Sequence, residues 1–391
     1  MSILFRKFTA ALSASAIAIG ALTVSPFSAS AENKKLLILG DSISVGYGLQ
    51  KDEANYGAIL GESLGYEVTN LAVNGATTSD LLTLLATDDA KKAVKEADLI
   101  CISIGGNDLM QPAIEFLSTN LGITTGNLNI NDVVTKVSAL DENAVQNLVI
   151  KLTGKLRDPL KTAAANFPTI ESTIRAINSD TKLVMQTVYN PLEFYTTSYQ
   201  GTDFSDKYNT LQEYVNGQLL KINKPISELE SVSTADIKAR FDGNAWLYVN
   251  SKNKDIHPTA VGHALIASEI LETLKLNVKS TKIASALVKM DINYFTTLPD
   301  DDYALLQKYM KYPLGDLDGN SIVNEIDATY VLMDVASAML DKEYLTAEQE
   351  AAADVNHDGT IDERDATKIL VFFANNLLSE DSDWRNMLKS K

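Results

Sequence analysis

The sequence holds 391 residues, a length that suggests two or three domains at roughly 100–200 residues each. Its 45% hydrophobic and 22% charged content fits a chain that buries a core and excludes a largely disordered polymer. The formal net charge of −17 argues against nucleic acid or an anionic membrane surface as the main partner, since both require a basic face. A single cysteine, Cys101, excludes an intramolecular disulfide and a multi-cysteine zinc site, and reads as a buried small hydrophobe.

Residues 1–31 read as a secretory signal: Arg6 and Lys7, an apolar stretch over 10–22, then Ala29-Ser30-Ala31 as the cleavage pattern. The apolar run is short of the ~20 residues a membrane span needs, and no later segment reaches that length. The mature protein is therefore expected outside the cell.

From residue 32 to 276, short apolar runs alternate with helical stretches. The runs are 36–39, 68–73, 99–104, 182–188 and 245–249, and helical patterns cover 79–96, 144–155 and 259–276. Strands buried on both faces and alternating with helices predict an α/β domain with a mainly parallel sheet. Sites in such sheets form at the C-terminal ends of the strands. The loops there carry Gly40-Asp41-Ser42-Ile43-Ser44, then Asn74-Gly75, then Gly105-Gly106-Asn107-Asp108, and Asp255-Ile256-His257-Pro258 precedes the last helix.

Each block alone is an ordinary polar turn. Together they hold what acyl transfer requires: a nucleophile, a base and donors for an oxyanion. Ser42 is the candidate nucleophile and His257 the base. The backbone N–H groups of Ser42 and Gly75, with the Asn107 side-chain amide, are the candidate oxyanion donors. Glycine at 75 lets a backbone N–H approach a substrate with no side chain in the way.

This order and spacing, over roughly residues 34–276, resembles the SGNH (GDSL) hydrolase family. The resemblance implies a flavodoxin-like three-layer α/β/α fold, serine ester hydrolysis through an acyl-enzyme, and no catalytic cofactor. The family's triad acid stands three residues before the histidine, where this chain has Lys254. Either Asp255 reaches the imidazole instead, or a backbone carbonyl orients it, and Asp255 is the favoured candidate. His263, on the following helix, reads as structural or solvent-facing.

Residues 277–313 read as a partly helical linker. A repeat follows over 314–379, its two copies offset by 38 residues, with a C-terminal tail over 380–391. Each copy spaces oxygen donors as in a 12-residue EF-hand loop. The first set is Asp316, Asp318, Asn320, the Ile322 carbonyl, Asn324 and Asp327. The second is Asp354, Asn356, Asp358, the Thr360 carbonyl, Asp362 and Asp365. Much of the excess acidity sits in these loops. His357, at position four, is expected to be solvated. Position six is Gly359 in one loop but Ser321 in the other, which predicts weaker binding in the first.

The duplicated loop–helix unit, with Asp at position twelve in both copies, resembles a type I-like dockerin, a small all-α module. That resemblance implies two structural Ca2+ ions and a cohesin module of a cellulosome-type scaffold as partner, met near Glu325, Ile326, Glu363 and Arg364. It shifts the expected substrate toward acyl esters, such as acetyl groups, on plant cell-wall polysaccharide, with cell-surface or cellulosome association through the scaffold. Competing expectations are a lipase or lysophospholipase-type esterase, and a non-catalytic binding module on the same fold.

Overall fold

The computed structural model describes residues 33–123, 135–137, 139–191, 198–199, 202–203, 205–250, 255–378 and 383–389. The expected signal at 1–31 and Lys254 lie outside the described residues.

Five parallel strands form the main sheet: β1 (Lys35–Gly40), β2 (Glu67–Asn70), β3 (Leu99–Ser103), β4 (Lys182–Gln186) and β5 (Ser233–Ala235). Their spatial order is β2-β1-β3-β4-β5, so the chain reverses direction of travel between β1 and β3. Alternation along a strand sends neighbouring side chains to opposite faces. In β1, Leu36 and Ile38 join one core, and Leu37 and Leu39 the other.

The first face is covered by α2 (Tyr56–Leu64), α8 (Ile237–Phe241), α9 (Ala245–Tyr248) and α10 (Ala260–Thr273). The second carries α3 (Thr78–Leu85), α4 (Asp88–Glu96), α5 (Gly106–Leu121), α6 (Glu142–Ile177) and α7 (Ser205–Ser227). The result is the expected three-layer α/β/α arrangement. Between β1 and α2 lies a single turn, α1 (Ser42–Val45).

Three expectations for local structure need correction. Residues 245–249 form the one-turn helix α9, in which Ala245, Leu247 and Tyr248 are all buried and nothing alternates. The fifth strand is instead the polar triplet Ser233–Ala235, too short to show a period. The 68–73 run yields only β2, an edge strand with all four residues exposed, rather than a strand buried on both faces. The 79–96 pattern is two helices, because the Thr87 side chain accepts a hydrogen bond from Ala90 N–H and starts α4 afresh.

Residues 277–313 hold α11 (Thr281–Val288), α12 (Ile292–Phe295) and α13 (Asp300–Tyr309), closed into a loop by a bridge between Ser280 and Met310. Glu62 of α2 accepts from Thr281 N–H at 3.0 Å and from the Ser280 and Thr281 hydroxyls. Arg240 bridges Glu269 and the buried Asp302 at 2.8 and 3.1 Å, and Tyr248 donates to Asp302. These buried or half-buried polar ties fix α13 on α10.

The repeat contributes α14 (Glu325–Ala338), α15 (Ala347–Ala353) and α16 (Glu363–Leu378), with α14 packed on α16. The chain then forms α17 (Trp384–Lys389). Trp384 stacks on Phe372 at 4.2 Å and donates to the Leu314 carbonyl at 2.8 Å. Arg385 reaches the Leu298 carbonyl and Asp300, and lies 4.6 Å over the Tyr303 ring. One hydrophobic cluster runs unbroken from Leu36 in β1 through α10 and α13 to Ala328, Val331, Ile369 and Trp384. No helix among the described residues is long and apolar enough to cross a membrane.

Candidate active site

The site begins with a glycine that cannot be replaced. At Gly40 the backbone has φ 129°, and a Cβ there would fall 1.9 Å from the Ser103 carbonyl oxygen. Only glycine lets β1 turn this tightly beside β3. Asp41 follows, donating its N–H to that same carbonyl at 3.0 Å and capping α1 by accepting from Ile43 N–H. Ser42 is thereby the first residue of α1, at the strand end. The neighbouring Ser44 is structural: its hydroxyl donates to the Leu39 carbonyl and shares a hydrogen bond with the Tyr56 hydroxyl, fully buried.

His257 comes from the far end of the domain. Its loop is pinned by a Val249–Pro258 bridge, by Asn250 N–H donating to the His257 carbonyl, and by Tyr189 Oη donating to the Ile256 carbonyl at 2.7 Å. Nε2 lies 2.8 Å from Ser42 Oγ, and Nδ1 lies 2.5 Å from Asp255 Oδ1. The same carboxylate oxygen accepts from His257 N–H at 3.2 Å. Burial alone would raise the Asp255 carboxyl, but the hydrogen bond and charge of His257 outweigh it and hold the group below the usual carboxylate range. Tyr47 covers the imidazole, ring to ring at 4.6 Å.

The arrangement is a continuous relay. A carboxylate at Nδ1 fixes the Nδ1–H tautomer and leaves Nε2 free to accept the serine proton. The position favoured by the family, Lys254, is outside the described residues; Asp255 is the carboxylate hydrogen-bonded to Nδ1.

Gly75 and Asn107 are brought to one another across the sheet's C-terminal edge. Gly75 has φ 77°, and a Cβ there would meet nothing nearer than Gln111 at 3.7 Å. Asn107, in the first turn of α5, donates one amide hydrogen to the Ala76 carbonyl at 3.0 Å. Gln111, one turn later, donates to the Gly75 carbonyl at 2.6 Å. Residues four apart on a helix share a face, so α5 grips the 75–76 loop twice. Beneath, Asp108 accepts from Thr78 N–H and Oγ1. Burial raises the Asp108 carboxyl despite those bonds, and pushes Asp41 up to about 7.

The reading from residues alone missed Tyr47, Tyr189 and Gln111. Gln111 had a usable signal in its i+4 spacing from Asn107; the tyrosines had none. His263, left open as structural or solvent-facing, is fully buried: Nδ1 accepts from Tyr56 N–H at 3.4 Å, and burial drops its pKa to about 3.

In the first acidic loop the carboxylate oxygens of Asp316, Asp318 and Asp327 lie within 4.8 Å of one another. Ligands about 2.3–2.6 Å from one Ca2+ ion would be so spaced, and an all-oxygen donor set is the kind it takes. The residues fit the ion. Asp316 also accepts from the N–H groups of Gly319, Asn320 and Ser321, and Asp354 accepts equivalently from Asp358 and Gly359. In the second loop Arg364 pairs with Asp358 and Asp362 at 2.8 and 2.6 Å, two of the expected ligands. His357 is a correction: it is half-buried rather than freely solvated. Its ring lies 4.3 Å from Phe295 on α12, and burial lowers its pKa to about 4. Both loops turn left-handed at positions four and six, with the glycine and the non-glycine exchanged between them. Gly319 and Ser321 have φ 72° and 68°, whereas His357 and Gly359 have 58° and 82°.

Residues 38–265 match the model of the GDSL-like lipase/acylhydrolase family, more than half of the chain. The chain belongs to that family. Residues 314–370 of this GDSL-like acylhydrolase match the type I dockerin domain. Over 257 residues the chain is 24% identical to the uncharacterized protein YpmR of Bacillus subtilis (strain 168), covering 62% of this chain and 82% of the relative. Among solved structures it is similar to the lipase Lip_vut3 from a goat rumen metagenome, at 20% identity, 62% and 97% coverage and a TM-score of 0.40. It is also similar to the lipase/acylhydrolase of Enterococcus faecalis, at 16% identity, 63% and 98% coverage and a TM-score of 0.36.

Proposed function

We propose that this GDSL-like acylhydrolase is a secreted serine ester hydrolase that removes acyl groups, acetyl foremost, from plant cell-wall polysaccharide. Its dockerin, on this reading, attaches it through Ca2+-dependent binding to a cohesin on a scaffold outside the cell. The observation that carries the enzymatic part is the unbroken hydrogen-bonded path Asp255–His257–Ser42 at the end of β1.

In this mechanism Ser42 Oγ attacks the ester carbonyl carbon while its proton passes to His257 Nε2. The carbonyl oxygen becomes an oxyanion, met by the N–H groups of Ser42 and Gly75 and the second amide hydrogen of Asn107. Asp255 stabilises the imidazolium that forms. His257 then gives the proton to the departing alkoxide, which leaves as the sugar hydroxyl, and an acyl-Ser42 ester remains. Water, deprotonated by His257, reverses the sequence and releases the carboxylic acid. In the dockerin, Asp316, Asp318, Asn320, Asn324, Asp327 and the Ile322 carbonyl would hold one Ca2+. Asp354, Asn356, Asp358, Asp362, Asp365 and the Thr360 carbonyl would hold another. The ions supply folding free energy to that module, not chemistry at Ser42.

The test is hydrolysis of an aryl acetate and release of acetate from acetylated xylan by wild type and Ser42→Ala. Turnover in the wild type and its loss in Ser42→Ala, with unchanged circular dichroism, is the expected result. Absence of turnover on every acyl ester would sink the enzymatic reading in favour of a binding module.

A further inference from the structure

Glycine at 75 makes room for a substrate oxygen but does not by itself aim the N–H that would meet it. Gly75 is the third residue of a turn closed by Ala76 N–H on the Val73 carbonyl at 3.1 Å. Its φ of 77° is the left-handed conformation that a type II turn needs at that place. A glycine lets its flanking peptides swing more freely than any other residue would. The aim of the Gly75 N–H therefore depends on ties from outside the turn.

Two such ties are present. On the β1 side, Val73 N–H donates to the Gly40 carbonyl at 3.0 Å, two residues before Ser42. On the α5 side, Gln111 Nε2 donates to the Gly75 carbonyl at 2.6 Å. The second tie matters because of what else α5 carries. Asn107, on the same helix face, gives one amide hydrogen to the Ala76 carbonyl and has the other to offer an oxyanion. An oxyanion is stabilised when its donors all lie about 2.7–3.1 Å from one point. By joining the Gly75 carbonyl to the helix that bears Asn107, Gln111 sets the spacing of those two donors.

The backbone of α5 gives less help here than a regular helix would. Pro112, next in the chain, has no N–H to offer the Asp108 carbonyl, so a rung of the ladder is missing over the first turns. Side chains join those turns to the 75–78 loop: Asn107 to Ala76, Asp108 to Thr78 and Gln111 to Gly75. Fold stability does not account for the last of these. Gln111 is exposed, where a hydrogen bond competes with water and contributes little to folding.

We propose that Gln111 is a positioning residue for the oxyanion hole, holding the Gly75 carbonyl so that the Gly75 N–H and the Asn107 amide converge on one oxygen. The inference rests on the ester-hydrolase reading and adds to it the side chain that aligns its donors.

The test uses the full chain with Ca2+ present. Gln111→Met keeps the reach of the side chain without a donor, Gln111→Glu sets an acceptor against the carbonyl, and Gln111→Arg restores N–H groups. Steady-state hydrolysis of p-nitrophenyl acetate is measured together with thermal midpoints. Inhibition by phenylboronic acid is measured alongside; its boron accepts Ser42 Oγ, whose proton passes to His257, giving a tetrahedral adduct. We expect kcat to fall about fivefold in Gln111→Met and at least about tenfold in Gln111→Glu, with substantial recovery in Gln111→Arg. One hole serves acylation and deacylation, so both slow alike and KM stays within about twofold, while boronate affinity falls in step with kcat. Thermal midpoints should stay within about 2 °C of wild type, as for other surface substitutions. A kcat within twofold of wild type in both Gln111→Met and Gln111→Glu overturns the assignment and leaves hydrolysis at Ser42 standing. So does a loss carried by KM with boronate affinity unchanged, which would make Gln111 a substrate contact instead. Wild type that hydrolyses no acyl ester overturns the ester-hydrolase reading and this role with it.

Discussion

Removing the Asp255 carboxylate isolates what the relay contributes. Its oxygen lies 2.5 Å from His257 Nδ1, and both side chains are mostly shielded, at 22% and 18% exposed. The imidazolium exists only after the serine proton has moved, so the attraction acts chiefly on the transition state. Two unit charges with centres roughly 4 Å apart at an effective dielectric of about 20 interact by about 4 kcal/mol. At 1.36 kcal/mol per decade, that is about a thousandfold in kcat. KM should change little, because Asp255 does not face the ester. Asp255→Asn should do at least as badly as Asp255→Ala. An amide hydrogen offered to Nδ1 favours the tautomer with a proton on Nε2, which cannot accept from Ser42. Steady-state hydrolysis of p-nitrophenyl acetate from pH 6 to 9 measures both variants. Retention of more than a tenth of wild-type kcat in Asp255→Ala would falsify the assignment and return the orienting role to a backbone carbonyl.

Three further outcomes follow from the structure. His263 is neutral in the fold, with its pKa lowered from 6.5 to about 3 by burial. Below pH 6.5 the unfolded chain takes up a proton that the fold refuses, so this residue's contribution is intact above 6.5 and is lost as pH falls toward 3. Asp41, raised to about 7, acts in the opposite sense between about 4 and 7, so comparison with a variant is needed to separate them. Lowering pH from 7 to 5 should cost wild type about 2 kcal/mol more than His263→Gln, read from urea midpoints; equal losses would show that His263 does not titrate on unfolding. Removal of Ca2+ with a chelator should unfold the dockerin, unstack Trp384 from Phe372 and red-shift tryptophan emission, with restoration on adding Ca2+. Unaltered emission would count against metal-dependent folding. Ser321→Gly relieves a non-glycine residue at φ 68°; it should stabilise the module by about 1 kcal/mol and tighten the first Ca2+ site, seen by calorimetry.

The three-layer fold was legible in its apolar runs, and the His257 block only by its place before α10, since it follows the one-turn helix α9. The blocks bearing Ser42, Gly75 and Asn107 were legible in their places after β1, β2 and β3, where chemistry and turn geometry demand the same few residue types. Gly40 illustrates this: the residue that permits the turn is adjacent to the loop that bears the serine. The acidic loops were legible for a related reason, since ligand spacing is local in sequence. What escaped was set by tertiary contact. Nothing around Tyr47 or Tyr189 announces that one ring would cover His257 and the other would hold its loop. His357 looked solvated because its loop position points away from the ion, and only the fold brings Phe295 against it. Residues 245–249 have strand composition, yet one turn of helix with only Trp246 partly exposed satisfies the same apolarity. The short polar strand β5 has no period to read.

The packing of α11–α13 and α17 has a mechanical consequence. Left as a flexible coil, the 277–313 segment would let the two functional ends drift apart by roughly 30 Å. Here Trp384 and Arg385 clamp the chain's far end, and one core is shared from β1 to α16. The ester-cleaving mouth is therefore carried like a tool head bolted to its mount. Its bearing is set wherever the dockerin is seated, and sweeping across a surface must come from joints elsewhere in the assembly.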